Sequence, residues 1–63
     1  MGSKVDNVSE QVYVEIVERA MLHGAQQVEK RLGPMGQSAA DKVQRGVEIN
    51  LNHQKYYVRQ VRT

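Results

Sequence analysis

The chain has 63 residues, one proline, no cysteine and a formal net charge of +2. A chain of this length makes one small domain, 1–63, and buries only about 60% of the surface that its unfolded form exposes. The missing cysteines exclude disulfide staples and thiolate metal sites together. Two histidines, His23 and His53, stand far apart and imply no metal, so association into a homodimer is the expected source of further burial. Residues 1–41 carry four basic and six acidic side chains, net −2, whereas residues 42–63 carry five basic and one acidic, net +4. An acidic front and a basic back suggest an anionic partner for the second part, with a solvated basic tail as the plain alternative.

Residues 1–4 are expected to be disordered or cloning-derived, because Met1-Gly2-Ser3 reads as a start codon followed by a cloning scar. No apolar run approaches the roughly 20 residues of a membrane helix, and no signal-peptide pattern is present. The expected location is cytoplasmic. Val5 to Ser9 is a polar lead-in in which Asn7 and Ser9 can each cap a helix. Beyond it, Val12, Val14 and Ile16 alternate as in a strand, while Val8, Val12, Ile16 and Ala20, with Val14, Val17 and Met21 beside them, keep helical spacing. The apolar spacing continues past Ala20 without a turn signal, which favours a helix over 9–23; a strand in its first half stays open. His23-Gly24 ends this helix, Gly being the usual residue after a last helical turn.

Ala25, Val28 and Leu32 share one face of an expected second helix, and Gly33-Pro34 stops it. A third helix begins at Gln37–Ser38, where Ser38 and Asp41 resemble a capping pair. It runs to about Arg45, buries Ala40, Val43 and Ala39, and ends at Gly46. Val47-Glu48-Ile49-Asn50-Leu51-Asn52 then alternates apolar and polar, as a half-buried strand does. Asn52-His53-Gln54-Lys55 supplies turn residues, and Tyr56 to Arg62 is a second strand rich in aromatic and β-branched types. One long third helix through Val43, Val47, Leu51, Val58 and Val61 is the competing reading. The expected fold is therefore α+β: three short helices containing a helix-turn-helix, followed by a C-terminal β-hairpin.

A recognition helix needs one small apolar face and one polar, basic face. Ala40, Val43 and Val47 point one way; Ser38, Lys42 and Arg45 point the other, with Gln37 and Asp41 on the flanks. Gln, Ser, Lys and Arg are side chains that hydrogen-bond to base edges, although an ordinary surface helix carries such residues too. Around this face the chain resembles the small phage helix-turn-helix repressors of the lambda Cro type. The similarity covers about 40 residues and rests on Ala20-Met21-Leu22-His23-Gly24, Leu32-Gly33, Gln37-Ser38-Ala39 with Lys42, Gly46, Ile49-Asn50-Leu51 and Tyr57. The chain departs from that pattern at Gly33-Pro34-Met35-Gly36, one residue longer than the family's turn, and at Glu29, where the family has a small residue.

The resemblance implies a sequence-specific DNA-binding transcriptional regulator, a repressor acting as a homodimer on double-stranded DNA with its third helix in the major groove. It implies that Gln37, Ser38, Asp41, Lys42 and Arg45 face bases or nearby phosphates. Gln26 and Gln27 would meet the backbone at a helix start, with Lys55, Arg59 and Arg62 as phosphate contacts. The last strand would pair across a two-fold axis, making Tyr56, Tyr57, Val58 and Val61 the dimer interface. Other residues have plainer readings. One of Tyr56 and Tyr57 packs inward and the other faces solvent or a partner. His53 is a turn residue and His23 a helix-end residue, Glu15 and Glu18 lie solvated on a helix, and Met35 plugs the small core. Two rival readings remain: a ribbon-helix-helix DNA binder with Val12–Ile16 as the groove-reading strand, and a small protein–protein interaction module. No nucleophile–base pair, metal cluster or phosphate-binding glycine loop is visible, so no enzyme, cofactor, small-molecule substrate or membrane partner is expected.

Overall fold

The computed structural model describes residues 11–63. The expectations for residues 1–4, for the caps at Asn7 and Ser9 and for a helix beginning at 9 lie outside the described residues. Within them the chain forms β1 (Val12–Leu22), β2 (Ala25–Met35), α1 (Gln37–Ile49) and β3 (Tyr56–Arg62). The strands make an antiparallel sheet in the order β2-β1-β3, with α1 against one face. Three helices followed by a hairpin are not what the residues build.

The first expected helix is the central strand. Val12, Val14, Ile16 and Val17 are β-branched, and such side chains lose rotamer freedom in a helix but pack well on a pleated sheet. β1 has neighbours on both edges and is buried on both faces over its first half, so its apolar residues recur at two- and three-residue intervals and mimic helical spacing. Val12, Val14 and Ile16 face the helix. Tyr13, Glu15, Val17 and Arg19 face away from it.

The second expected helix is the partner strand. His23 and Gly24 both have positive φ, 55° and 78°, which is the backbone of a two-residue type I′ turn. Leu22 and Ala25 pair directly across it. The Gly that was expected to end a helix turns a hairpin instead. Pro34 lies at the far end of β2, an edge strand, where a missing N–H costs no ladder bond. The preceding peptide, Gly33-Pro34, is cis. Gly33 has φ 126°, and a Cβ there would stand 2.8 Å from the Val12 carbonyl oxygen, so this crossing of β1 and β2 requires glycine.

The third expected helix is present but longer. It passes through Gly46 to Ile49 and takes in the first half of the expected hairpin. Val47 is half-buried on the stripe of Ala40 and Val43, whereas Ile49 is 78% exposed, the opposite of what alternation in a strand would give. Ala39, expected inside, is exposed. Asn52 to Lys55 does turn, with Tyr56 N–H donating to the Asn52 carbonyl at 2.9 Å and Gln54 N–H to Asn52 Oδ1 at 3.1 Å. The strand that follows pairs with β1, from Tyr56 opposite Glu18 to Arg62 opposite Val12. With one helix among the described residues, and a strand between it and β1, a ribbon-helix-helix arrangement is not formed either.

Val12, Val14 and Ala40 make the buried centre, with Leu32, Met35, Val43 and Val58 packed around it. Met35 does line this core, as a strand-end residue. The molecule is only 10 Å through in its thinnest direction, and outside these seven residues Val17, on the other face of the sheet, is the one further apolar side chain fully buried among the described residues.

Candidate nucleic-acid interface

The face of the sheet turned away from α1 carries the densest grouping of chemistry-bearing side chains. Strand alternation puts Tyr13, Glu15, Val17 and Arg19 of β1 there. Register adds Arg31 and Val28 from β2 and Tyr57, Arg59 and Val61 from β3. Glu15 stands in the middle, opposite Arg31 on one side and Arg59 on the other. Arg31 donates through Nε and a terminal nitrogen to Oε2, both at 2.7 Å, and Arg59 donates through Nε to Oε1 at 2.7 Å. The carboxylate is 1% exposed, yet its cover is a thin layer of its own partners rather than depth inside the protein. Burial by itself would raise the Glu15 pKa. The charge-assisted bonds from Arg59 and Arg31 outweigh it and hold the carboxyl below its ordinary value.

Tyr57 reaches across the central strand, its hydroxyl donating to Gln26 Oε1 at 2.9 Å, and so lies over Val17, which is fully buried. The Arg19 guanidinium sits over the Tyr57 ring at 5.4 Å from its centroid, and Arg31 over Tyr13 at 5.3 Å. Arg19 is held at its base as well, donating through Nε to the His53 carbonyl at 2.7 Å. The result is one face carrying Tyr13, Val17 and Tyr57 with three guanidiniums, two of them over the tyrosine rings, and with the carboxylate of Glu15 neutralised between Arg31 and Arg59.

The residues expected to read DNA are scattered by comparison. Gln26 and Gln27 lie on β2, not at a helix start; Gln26 accepts from Tyr57, and Gln27 Nε2 reaches the Ala25 carbonyl at 3.3 Å. Gln37 and Asp41 are bound to β3: Gln37 Nε2 donates to Gln60 Oε1 at 2.7 Å and to Asp41 Oδ1 at 2.9 Å. Gln60 Nε2 donates to Asp41 Oδ1 at 3.0 Å and Gln44 Oε1 at 2.8 Å, and Arg62 donates to Gln37 Oε1. The bonds from Gln60 and then Gln37 keep Asp41 below its ordinary pKa. This polar seam fastens the helix to the sheet edge. Ser38, Lys42 and Arg45 do point outward from α1, on the side of the molecule opposite the guanidiniums. Lys55 rests over the Tyr56 ring, 5.4 Å from its centroid. Of the residues expected at a dimer interface, Val58 packs into the core, Tyr57 covers Val17, and Tyr56 and Val61 are half-buried on opposite faces of β3.

Tyr13, Glu15, Arg19 and Arg31 were not among the expected site residues; Glu15 in particular was expected to be solvated. A signal for them exists in the chain. A hairpin centred on His23-Gly24 sets Glu15 opposite Arg31 within one residue of register, a complementary pair that a helical reading conceals. The described residues enclose no cavity and contain no group of His, Asp and Glu placed to hold a metal ion. None of their helices is long and apolar enough to cross a membrane. No family model, no curated protein and no solved structure matches the chain.

Proposed function

We propose that this protein binds single-stranded nucleic acid on the open face of its sheet. The observation that carries the reading is the grouping of Arg19 over Tyr57 and Arg31 over Tyr13 with Arg59 on the same face, Glu15 being already neutralised by Arg31 and Arg59. Guanidinium planes and tyrosine rings are stacking surfaces for unpaired bases, and the N–H groups not used on Glu15 or His53 are donors for phosphate oxygens. A flat face favours a single strand, because bases in a duplex are read by an element that enters a groove, whereas a splayed strand lies across a sheet. Nucleic acid in the cytoplasm is the partner that this reading implies.

A second reading rests on a separate observation. Ser38, Lys42 and Arg45 form one exposed stripe of α1, which suits a duplex-DNA regulator with α1 in the major groove of its site. Fluorescence anisotropy with labelled single-stranded and duplex oligonucleotides at low salt separates the two. Single-strand binding lost in a Tyr13→Leu, Tyr57→Leu double variant, and kept in Lys42→Ala, Arg45→Ala, supports the sheet face. The reverse pattern, or preference for duplex, supports the helix, and absence of binding to either refutes both. Three phosphate contacts give a log affinity that falls against log salt with a slope of about −2.

A further inference from the structure

The hairpin of β1 and β2 runs well past the rest of the sheet. β3 pairs with β1 only from Val12 to Glu18, and the last bond on that edge is Arg19 N–H to the Lys55 carbonyl at 2.8 Å. Beyond it, Ala20–Gln27 is a two-stranded ribbon, with the β1 edge at Ala20–Leu22 free of β3. The type I′ turn closes its tip, and Arg19 is tied to the His53 carbonyl at its base. Its composition is unlike the remainder of the chain. The eight residues 20–27 contain no Asp, Glu, Lys or Arg, although such residues make up 25% of the sequence. Met21 and Leu22 are 62% and 56% exposed. Long, uncharged, apolar strand edges are what soluble proteins ordinarily avoid or cover, and a two-stranded ribbon in water is marginal until another strand joins it.

We infer that the ribbon is the self-association element of this protein and that its occupant is the same ribbon of a second copy. Antiparallel pairing of Ala20–Leu22 with itself, about a two-fold axis near Met21, satisfies the bare edge of both copies with the same bonds and closes the assembly. The uncharged run makes this self-juxtaposition free of like-charge repulsion. The other two free edges lack that property, since β2 carries Glu29, Lys30 and Arg31 and β3 carries Arg59 and Arg62. A core as small as this one gains from the added apolar burial. The absence of basic residues in the run argues against an anionic membrane surface as the occupant.

Sedimentation equilibrium on the full chain tests the assignment. A reversible dimer is expected, and Met21→Lys with Leu22→Glu weakens it by at least about 100-fold, with circular dichroism showing that the sheet is retained. Should that variant fail to fold, Met21→Cys answers the same question: in a chain without other cysteine it forms a disulfide-linked dimer on mild oxidation, and Arg45→Cys on α1 does not. A monomer at all concentrations overturns the inference, as do a dimer indifferent to both ribbon substitutions and equal cross-linking at Arg45. Binding of the ribbon to phosphatidylcholine vesicles in place of dimerisation also overturns it.

Discussion

Replacing Glu15 by Gln removes one charge and little else, since the amide is close to isosteric with the carboxylate. Three guanidinium nitrogens lie 2.7 Å from the two carboxylate oxygens. In Glu15→Gln the amide oxygen keeps the bonds of one guanidinium, and the amide N–H₂ is set facing the other, donor to donor. Hydrogen bonds to charged groups contribute about 1.5–3 kcal/mol each. Here the benefit is partly screened, because the Arg31 and Arg59 side chains are 58% and 42% exposed and regain water when the carboxylate is gone. A net loss of about 2 kcal/mol follows, which in a domain this small lowers Tm by about 8–16 °C. The pH dependence has a definite sign. The folded carboxyl is held below its ordinary value by Arg59 and Arg31 against the opposing effect of burial. Its contribution is therefore complete above the ordinary carboxyl value of 4.5 and is lost as pH falls through the lower folded value. Thermal unfolding followed by circular dichroism, at pH 7 and then stepwise into acid, should show wild type well above Glu15→Gln at neutral pH and the two converging below pH 4. Equal stability at pH 7, or a gap unchanged in acid, refutes the clamp.

The same substitution acts in the opposite direction on binding. By freeing Arg31 and Arg59 it adds positive charge to the open face, and single-strand affinity at low salt should rise although the fold is weaker; a fall at a temperature where the variant is fully folded contradicts the proposed surface. Gly46 sits in an exposed turn of α1 with open space where a Cβ would stand, so Gly46→Ala should add about 0.5–1 kcal/mol to the free energy of urea unfolding. Gly33→Ala should do the reverse by about 2–3 kcal/mol, because its φ of 126° is foreign to L side chains and the obstructing atom is the backbone oxygen of Val12; unchanged stability would show that β1 and β2 cross differently.

The chain disclosed some of this structure and hid the rest for identifiable reasons. The division of α1 between Ala40 and Val43 inside and Ser38, Lys42 and Arg45 outside was legible, because one helix on one sheet leaves a clean amphipathic stripe. The turn at Asn52–Lys55 and the strand at Tyr56–Arg62 were legible from turn chemistry and β-branched content. β1 was legible only in part: Val12, Val14 and Ile16 alternate and left a strand open, but Val17, buried on the opposite face, breaks the alternation and completes a helical spacing with Val14 and Met21. β2 was not, because Gln, Glu, Lys and Arg on an exposed edge strand look like the polar side of a helix, and its register slips at bulges before and after Leu32–Lys30. Both strands are concealed by one feature, the Gly of His23-Gly24, which serves a helix end and a type I′ turn equally well. Once that pair is taken as a hairpin tip, Glu15 meets Arg31 and the open face assembles. Glu29 and the four-residue Gly33–Gly36 corner, the two departures from a Cro-type pattern, lie in β2 and at its junction with α1.

Chemical-shift mapping by NMR tests the proposed binding face most directly. A ¹⁵N-labelled protein is titrated with an unlabelled single-stranded oligonucleotide while backbone amides and arginine Nε–H groups are followed. The expected result is a set of shifts centred on Tyr13, Glu15, Arg19, Arg31, Tyr57 and Arg59, fading as salt is added. Shifts confined to Ser38, Lys42 and Arg45 on α1, or none at low salt, contradict it.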